Sequence, residues 1–264
     1  MHSLEGAPEM QENLLHDVAV GEEVGAGAFG NVVRLNFCGT LCAGKRLHTV
    51  LMEEGRTFRE KFVDECRLLK NLRHPHIVQF LGICFLPSSD LPVLVMEFLP
   101  YNLHDLLEGH PNFPLPVKLS ILKDIARGLL YLHSQVPPIV HRDLSARNVL
   151  LNAALTAKIA DFGMARIINP LHLSRQLTTV PGSGVYMPPE TFQSESGDSI
   201  LDYSSKVDIF SFGVVLLFVI THEFPKNILP ATFYDENNVF RPRRELQRRE
   251  KYVETAEQVS TEYS

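Results

Sequence analysis

Cysteine is scarce in this chain of 264 residues: Cys38, Cys42, Cys66 and Cys84 are the four it holds, and no two form a CxxC pair. A disulfide framework and a zinc site are therefore not expected, and reduced thiols in an intracellular compartment are. Long apolar runs are also missing. The longest surrounds "IFSFGVVLLFVI", Ile209 to Ile220; it is shorter than the about 20 residues that cross a bilayer and reads as a buried core helix. The start, "MHSLEGAPEMQENLLHD", has neither a basic n-region nor an apolar h-region and does not read as a signal peptide. No acidic or basic block stands out, and a net charge of −6 gives no reason to expect nucleic acid as a partner. There are no repeats and no low-complexity tracts. What remains is the composition of an ordinary soluble protein, 45% hydrophobic and 21% charged, expected in the cytoplasm and without a membrane span.

Along the chain, residues 1–17 are polar and aperiodic and are expected to form a loose tail. From Val18 the signals are mostly those of strands. "NVVRLNF" and "LCAGKRL" are short, rich in β-formers and separated by the turn-like "CGT", and "VLVMEF" follows as another strand. "FREKFVDECRLLKNL" interrupts them as a helix, with Phe58, Phe62, Cys66, Leu69 and Leu72 at helical spacing. After Leu99 the character becomes helical. "VKLSILKDIARGLLYLHS" places Leu119, Leu122, Ile125, Ala126, Leu129 and Leu130 on one expected face. The coarse architecture is α+β: a β-rich small lobe (18–97) and a mainly helical large lobe (98–264), with a cleft between them as the ligand site.

Two charges fall on faces where charge is costly. Strand alternation groups Leu41, Ala43, Lys45 and Leu47 on what is expected to be the apolar face. Glu65 lies between Phe62 and Leu69, beside the helix's apolar stripe. Either the two side chains meet, since an unpaired buried charge costs several kcal/mol, or both reach past the core edge into water. Upstream, "GAGAFGNV" sets Gly25, Gly27 and Gly30 in G-x-G-x-x-G-x-V spacing, with Ala26 inside it and Val32 closing it. Glycines let backbone N–H groups approach phosphate. A dinucleotide-binding fingerprint opens a helix, but here the loop leads into the β-rich "NVVRLNF".

Further on stand "HRDLSARN", "DFG", "PPE" and "DIFSFG", in that order. With the glycine loop, Ala43-Gly44-Lys45 and Glu65, this ordered set resembles a eukaryotic protein kinase domain from about Val18 to Ile220. The resemblance implies a bilobal fold and transfer of a phosphoryl group from ATP with Mg2+, a reaction that needs positioning and charge neutralisation more than covalent help. On that resemblance Lys45 holds the ATP phosphates and is itself held by Glu65. Asp161 ligates Mg2+, Asn148 ligates a second Mg2+, and Asp143 accepts the proton of the attacking hydroxyl. Val32, Ala43 and Leu150 sandwich adenine, the backbones of Glu97 and Leu99 bond its edge, and Met96 is the gatekeeper. His141 is expected to be a packing residue, and Asp208 a structural anchor for the catalytic loop.

The residue two places after Asp143 is Ser145, where serine/threonine kinases typically carry lysine, and Arg147 stands where tyrosine kinases often carry arginine. "VPGSGVYMPPE", with Gly182, Ser183 and Tyr186 before Pro188-Pro189-Glu190, resembles the serine/threonine pattern instead. The hybrid is similar to the tyrosine-kinase-like group, whose members mostly phosphorylate serine and threonine of protein substrates. Tyrosine or dual specificity and a truncated, pseudokinase-like ATP-binding scaffold are the alternatives. Arg147 or ordered water is expected to replace the missing lysine contact. Ser174, Thr178 and Thr179 are either phosphorylation sites read by Arg142 or ordinary loop hydroxyls.

Three departures from the family stand out. Gly44 replaces an apolar residue and should weaken its strand by about 0.5–1 kcal/mol. Phe210 takes the place of a tryptophan. Nothing in the segment from Thr221 to Ser264 resembles the family's last helices, so the large lobe is expected to be incomplete. Arg243, Arg244, Arg248 and Arg249 in that segment read as a solvated face.

Overall fold

The structure, a computed structural model, describes residues 12–27, 30–47, 58–86, 91–110, 112–163, 165–167, 184–188 and 204–223. The first half is built on hairpins. Strand β1 (Val18–Gly27) returns as β2 (Gly30–Phe37), and β2 returns as β3 (Thr40–Leu47). The second turn rests on Cys38 and Gly39, whose φ of 49° and 80° lie in the left-handed region. Helix α1 (Phe58–Asn71) follows, then β4 (Phe80–Phe85) and β5 (Pro92–Glu97). These strands form one antiparallel sheet in the order β1-β2-β3-β5-β4.

The second half begins with β6 (Tyr101–Asn102), α2 (Leu103–Gly109) and α3 (Leu115–His133). The Asn102 side chain caps α2 by accepting the Asp105 N–H at 2.8 Å. Next come β7 (Ile139–Val140), β8 (Val149–Leu151), β9 (Ala157–Ile159) and β10 (Arg166–Ile167), and finally α4 (Lys206–Thr221). Strands β6, β8 and β9 form one small sheet, and β10 and β7 another. This is the bilobal α+β arrangement expected from the sequence. No helix among the described residues is long and apolar enough to cross a membrane.

The sheet of the small lobe is apolar on both sides. One face carries a compact cluster of Val33, Leu35, Cys42, Cys84, Leu86, Val93 and Val95. The other joins the main core, which runs from Phe62 and Leu69 of α1 through Leu94 to Ile121, Ile125 and Leu129 of α3 and on to Val215 and Phe218 of α4. Lys45 lies on this second side, since its register partner in β5 is Leu94. Strand alternation alone groups Lys45 with Leu41 on a single apolar face of β3. In the structure Leu41 is exposed, and the fully packed residues of β3 itself, Cys42 and Gly44, point the other way. Alternation fixed which residues share a side, but a strand buried on both sides has no single apolar face to find.

Other expectations shift in similar ways. On α3, Leu119, Ala126 and Leu130 are exposed, and the packed stripe is Ile121, Leu122, Ile125, Gly128, Leu129 and Leu132. Gly128 belongs there because a Cβ would sit 2.8 Å from the His76 carbonyl oxygen and 2.9 Å from Ile159. The apolar run in α4 buries Val215, Phe218 and Val219, whereas Ile209, Leu216 and Ile220 are exposed. Residues 12–15 of the expected loose tail lie against the sheet edge. The Leu15 N–H donates to the Ile83 carbonyl at 2.7 Å, and Leu15 packs on the small cluster. Gly82 admits this segment, since a Cβ there would meet the Asn13 carbonyl oxygen at 2.6 Å.

Backbone bonds also lock the two halves together. The chain between α1 and β4 runs along β9, where Val78 N–H donates to Ile159 C=O and Ile159 N–H to His76 C=O, each at 2.9 Å. His74 stacks on Tyr131 of α3 with ring centroids 4.7 Å apart. This register sets where β9, and hence the residues just beyond it, lies relative to α1.

Gly44 gives a direct test of the small cluster. A Cβ there would lie 2.5 Å from Leu35 Cδ1 and 2.9 Å from Val93 Cγ1, so Leu35 occupies the space a larger residue would take. The Gly44→Val variant should lose about 1–3 kcal/mol in urea unfolding through overpacking. Adding Leu35→Ala should recover part of that loss, whereas an additive second loss would contradict the reading.

Candidate active site

Lys45 and Glu65 meet. The Lys45 ammonium donates to Glu65 Oε1 at 2.8 Å and to Asp161 Oδ1 at 2.7 Å. Lys45 and Glu65 are 5% and 6% exposed, which excludes the alternative in which both reach out to water. Helix α1 brings Glu65 to this point by burying Phe62, Cys66 and Leu69 on the same side. Burial opposes the ammonium's charge, but the carboxylates of Asp161 and Glu65 outweigh it and raise the Lys45 pKa above the usual lysine range. Burial pushes the Glu65 carboxyl up, with Lys45 offsetting part of the rise. Asp161 goes the other way: burial is outweighed by Lys45, which holds its carboxyl below the usual range.

Asp161 follows β9 with φ of 63°, a left-handed conformation that aspartate tolerates better than most residues. The Gly163 N–H donates back to Asp161 Oδ1 at 3.4 Å. Just before it, Ala160 N–H donates to the Asn148 carbonyl at 2.9 Å, which sets the loop containing Asn148 beside Asp161.

That loop, between β7 and β8, is held from below by Asp208 at the start of α4. Asp208 is fully buried. Its Oδ1 accepts the Arg142 N–H at 2.8 Å; its Oδ2 accepts the His141 N–H at 2.9 Å and a bond from His133 Nε2 at 2.8 Å. The anchoring role expected of Asp208 is thus visible, with His133 as a third partner. His141 is also a structural residue. Its Nε2 bonds the Ala160 carbonyl at 2.9 Å, its Nδ1 accepts the Asp143 N–H at 3.3 Å, and its ring meets Phe162 edge-on at 5.0 Å. With both nitrogens engaged and no exposure, it serves to pack and position the loop.

Asp143 and Asn148 are joined. The Asn148 Nδ2 donates to Asp143 Oδ2 at 2.9 Å and to the Asp143 carbonyl at 2.7 Å. With its nitrogen so engaged, Asn148 has its amide oxygen for a ligand. One carboxylate and one amide oxygen on neighbouring segments suit a hard divalent cation such as Mg2+.

The remaining expected residues are placed by strand register and by packing against the main core. Val32 is the register partner of Lys45, and Ala43 that of Met96; cross-strand partners share a face. Met96 and Leu150 are half-buried against the same main core, and Leu99 is buried in it. Gly25, Ala26, Gly27 and Gly30 form the end of the β1–β2 hairpin, with Gly27 opposite Gly30. A glycine loop between two strands is what separates this pattern from a dinucleotide-binding turn. The N–H of Glu97 is already donated to the Gln79 carbonyl at 3.0 Å, so that donor is not the one Glu97 could offer adenine.

Arg147 corrects one expectation. Its guanidinium lies 3.5 Å from Asp105 Oδ1 and 3.3 Å from His104 Nε2, both on α2, so it is engaged away from the lysine role suggested for it, while Ser145 is buried. Ser174, Thr178, Thr179, Gly182, Ser183, Pro189 and Glu190 lie outside the described residues, as do the arginines from Arg243 to Arg249. Sequence reasoning passed over Lys158, whose ammonium reaches Glu97 Oε1 at 2.6 Å and Oε2 at 2.8 Å. A lysine in a short strand gives no signal for a partner 61 residues away.

Comparison with known proteins decides the family. The family described as "Protein tyrosine and serine/threonine kinase" matches residues 18–259. The chain belongs to the protein kinase family. The matched span runs past Ile220 to residue 259. Among similar proteins, the Arabidopsis thaliana protein named "Probable serine/threonine-protein kinase SIS8" is 37% identical over 217 residues, covering 81% of this chain and 20% of that protein. The "Cysteine-rich receptor-like protein kinase 38" of the same plant is 36% identical, covering 81% and 32% respectively. The "Dual specificity protein kinase splA" of Dictyostelium discoideum is 32% identical, covering 80% and 9%. The chain thus spans a third or less of the length of these kinases.

The Lys45 cluster generates a pH-dependent prediction. Lys45→Met leaves the buried Glu65 and the half-buried Asp161 without their cation and should cost about 3–5 kcal/mol near neutral pH. Asp161, with its lowered pKa, contributes stability above the unfolded carboxylate range and loses it as pH falls through the folded value. Glu65, with its raised pKa, has the opposite sign: it takes up its proton higher on the same descent, and that uptake favours the fold. The stability gap between the parent protein and Lys45→Met, read by urea unfolding, should therefore narrow below about pH 4. A gap that stays constant with pH would contradict the ion-pair account.

Proposed function

We propose that this chain is an ATP-dependent protein kinase that transfers the γ-phosphoryl group to serine and threonine hydroxyls of protein substrates in signal transduction. The observation that carries the proposal is the buried Lys45 ammonium bridging Glu65 of the small lobe and Asp161 of the large lobe. In this reading Lys45 binds the α- and β-phosphates, and Glu65 fixes its direction. The glycines of the β1–β2 hairpin cover the phosphates with backbone N–H groups. Val32, Ala43 and Leu150 hold the adenine faces, and the Glu97–Leu99 backbone holds its edge. Asp161 and Asn148 would hold Mg2+, which when bound neutralises charge on the phosphate oxygens.

Asp143 orients the substrate hydroxyl and takes its proton as the new oxygen–phosphorus bond forms and the bond from the γ-phosphorus to the β,γ-bridging oxygen breaks, releasing ADP. Its own orientation is set by the Asn148 amide and by the loop that Asp208 holds. The preference for serine and threonine is supported by the "GSGVY" sequence pattern and by relatives carrying serine/threonine kinase in their names. The dual-specificity relative keeps tyrosine as an outcome to be measured.

The full chain with ATP and Mg2+ should phosphorylate serine- and threonine-containing peptides. Asp143→Asn should lower that rate by about 10²–10⁴-fold, the usual contribution of a positioned acid–base group. Nucleotide binding with no transfer above the Asp143→Asn background would select the scaffold reading. Phosphate on tyrosine alone would overturn the specificity.

A further inference from the structure

Helix α4 packs one side against the core, where Val207, Asp208, Ser211, Val215, Phe218 and Val219 are buried. Its other side is open and apolar. The exposed positions are Lys206, Ile209, Gly213, Leu216, Ile220 and, two residues past the helix end, Glu223. Their steps alternate between three and four residues, the spacing of a seam that faces one partner helix. Ile209, Leu216 and Ile220 are 49%, 41% and 40% exposed, and a Cβ added at Gly213 would meet nothing within 4 Å. A helix that is apolar on every side is normally covered on every side, and an open apolar stripe rimmed by charge marks an interaction site.

The order of residues along the stripe selects its partner. Laid against a second copy of itself in the opposite direction, it matches at every step. Lys206 meets the partner's Glu223, Ile209 meets the partner's Ile220, and Gly213 meets the partner's Leu216. Opposite charges then close both ends, and the leucine falls over the open glycine. Parallel pairing would instead set lysine on lysine and glutamate on glutamate. We propose that α4 is a self-recognition surface through which two copies of this chain form an antiparallel dimer about a two-fold axis. One helix stripe per copy is a small interface, so the dimer is weak and depends on concentration. The pairing is independent of the phosphoryl-transfer reading, because the seam lies on the side of α4 opposite Asp208 and the loop that Asp208 holds.

The test is sedimentation equilibrium of the full chain over a wide range of concentration, with the urea midpoint as the control for folding. The parent protein should pass from single to double mass as concentration rises. Leu216→Glu should stay at single mass with an unchanged urea midpoint, since residue 216 is exposed in the single chain. Lys206→Glu and Glu223→Lys should each raise the dimer dissociation constant by about fivefold to tenfold, because the two-fold axis turns two attractions into two repulsions. The doubly swapped chain should return to near the parent value. Single mass for the parent at every concentration would mean that residues 224–264 of the same chain or an unrelated protein cover the stripe, and it overturns the inference. A dimer that survives Leu216→Glu, or a double swap as weak as either single change, overturns it equally.

Discussion

One ammonium group holds this arrangement together. Lys45 lies out of water between two carboxylates that arrive from different halves of the chain, Glu65 on α1 and Asp161 beyond β9. Removing Lys45 and Glu65 from water, and Asp161 in part, is costly, and their mutual attraction repays it only when the geometry is close. Bonds of 2.7 and 2.8 Å meet that condition. The position of α1 and the direction of the Asp161 carboxylate are therefore coupled through a single side chain.

The rest of the fold can be understood as the frame that makes those distances possible. Backbone bonds between residues 76–78 and Ile159 fix the register of β9 against the chain that leaves α1. Gly128 lets α3 approach that junction, since any side chain would strike the His76 carbonyl. Asp208 gathers two backbone N–H groups and His133 from a fully buried position. A buried carboxylate is tolerated when its lone pairs are occupied in this way. The loop between β7 and β8 thus has a rigid floor, and Asp143 and Asn148 are presented on it as a bonded pair. Strain such as the left-handed Asp161 persists only because its surroundings over-determine it.

Much of this was legible in the sequence. Ordered motifs located each member of the site, and the clash between charge and periodicity at Lys45 and Glu65 already suggested that they meet. Three kinds of feature were not legible. Faces failed where both sides of an element are buried, as in β3, or where a glycine rather than a leucine makes the contact, as at Gly128. Long-range pairs between unremarkable charges, Lys158 with Glu97 above all, leave no local trace. Small residues read as weaknesses gained their meaning from neighbours: Gly44 is the space filled by Leu35, and Gly82 the opening for residues 13–15. Arg147 shows the converse, a residue with a plausible role whose partners on α2 assign it elsewhere.

The account's central claim is that the charges around Lys45 are arranged to receive a triphosphate. The most direct measurement is a crystal structure of the chain with a non-hydrolysable ATP analogue and Mg2+. The account predicts the Lys45 ammonium within hydrogen-bonding distance of a phosphate oxygen while it still contacts Glu65, with the Asp161 carboxylate turned to the metal. A triphosphate bound elsewhere, with Lys45 still closed on Asp161, would contradict it.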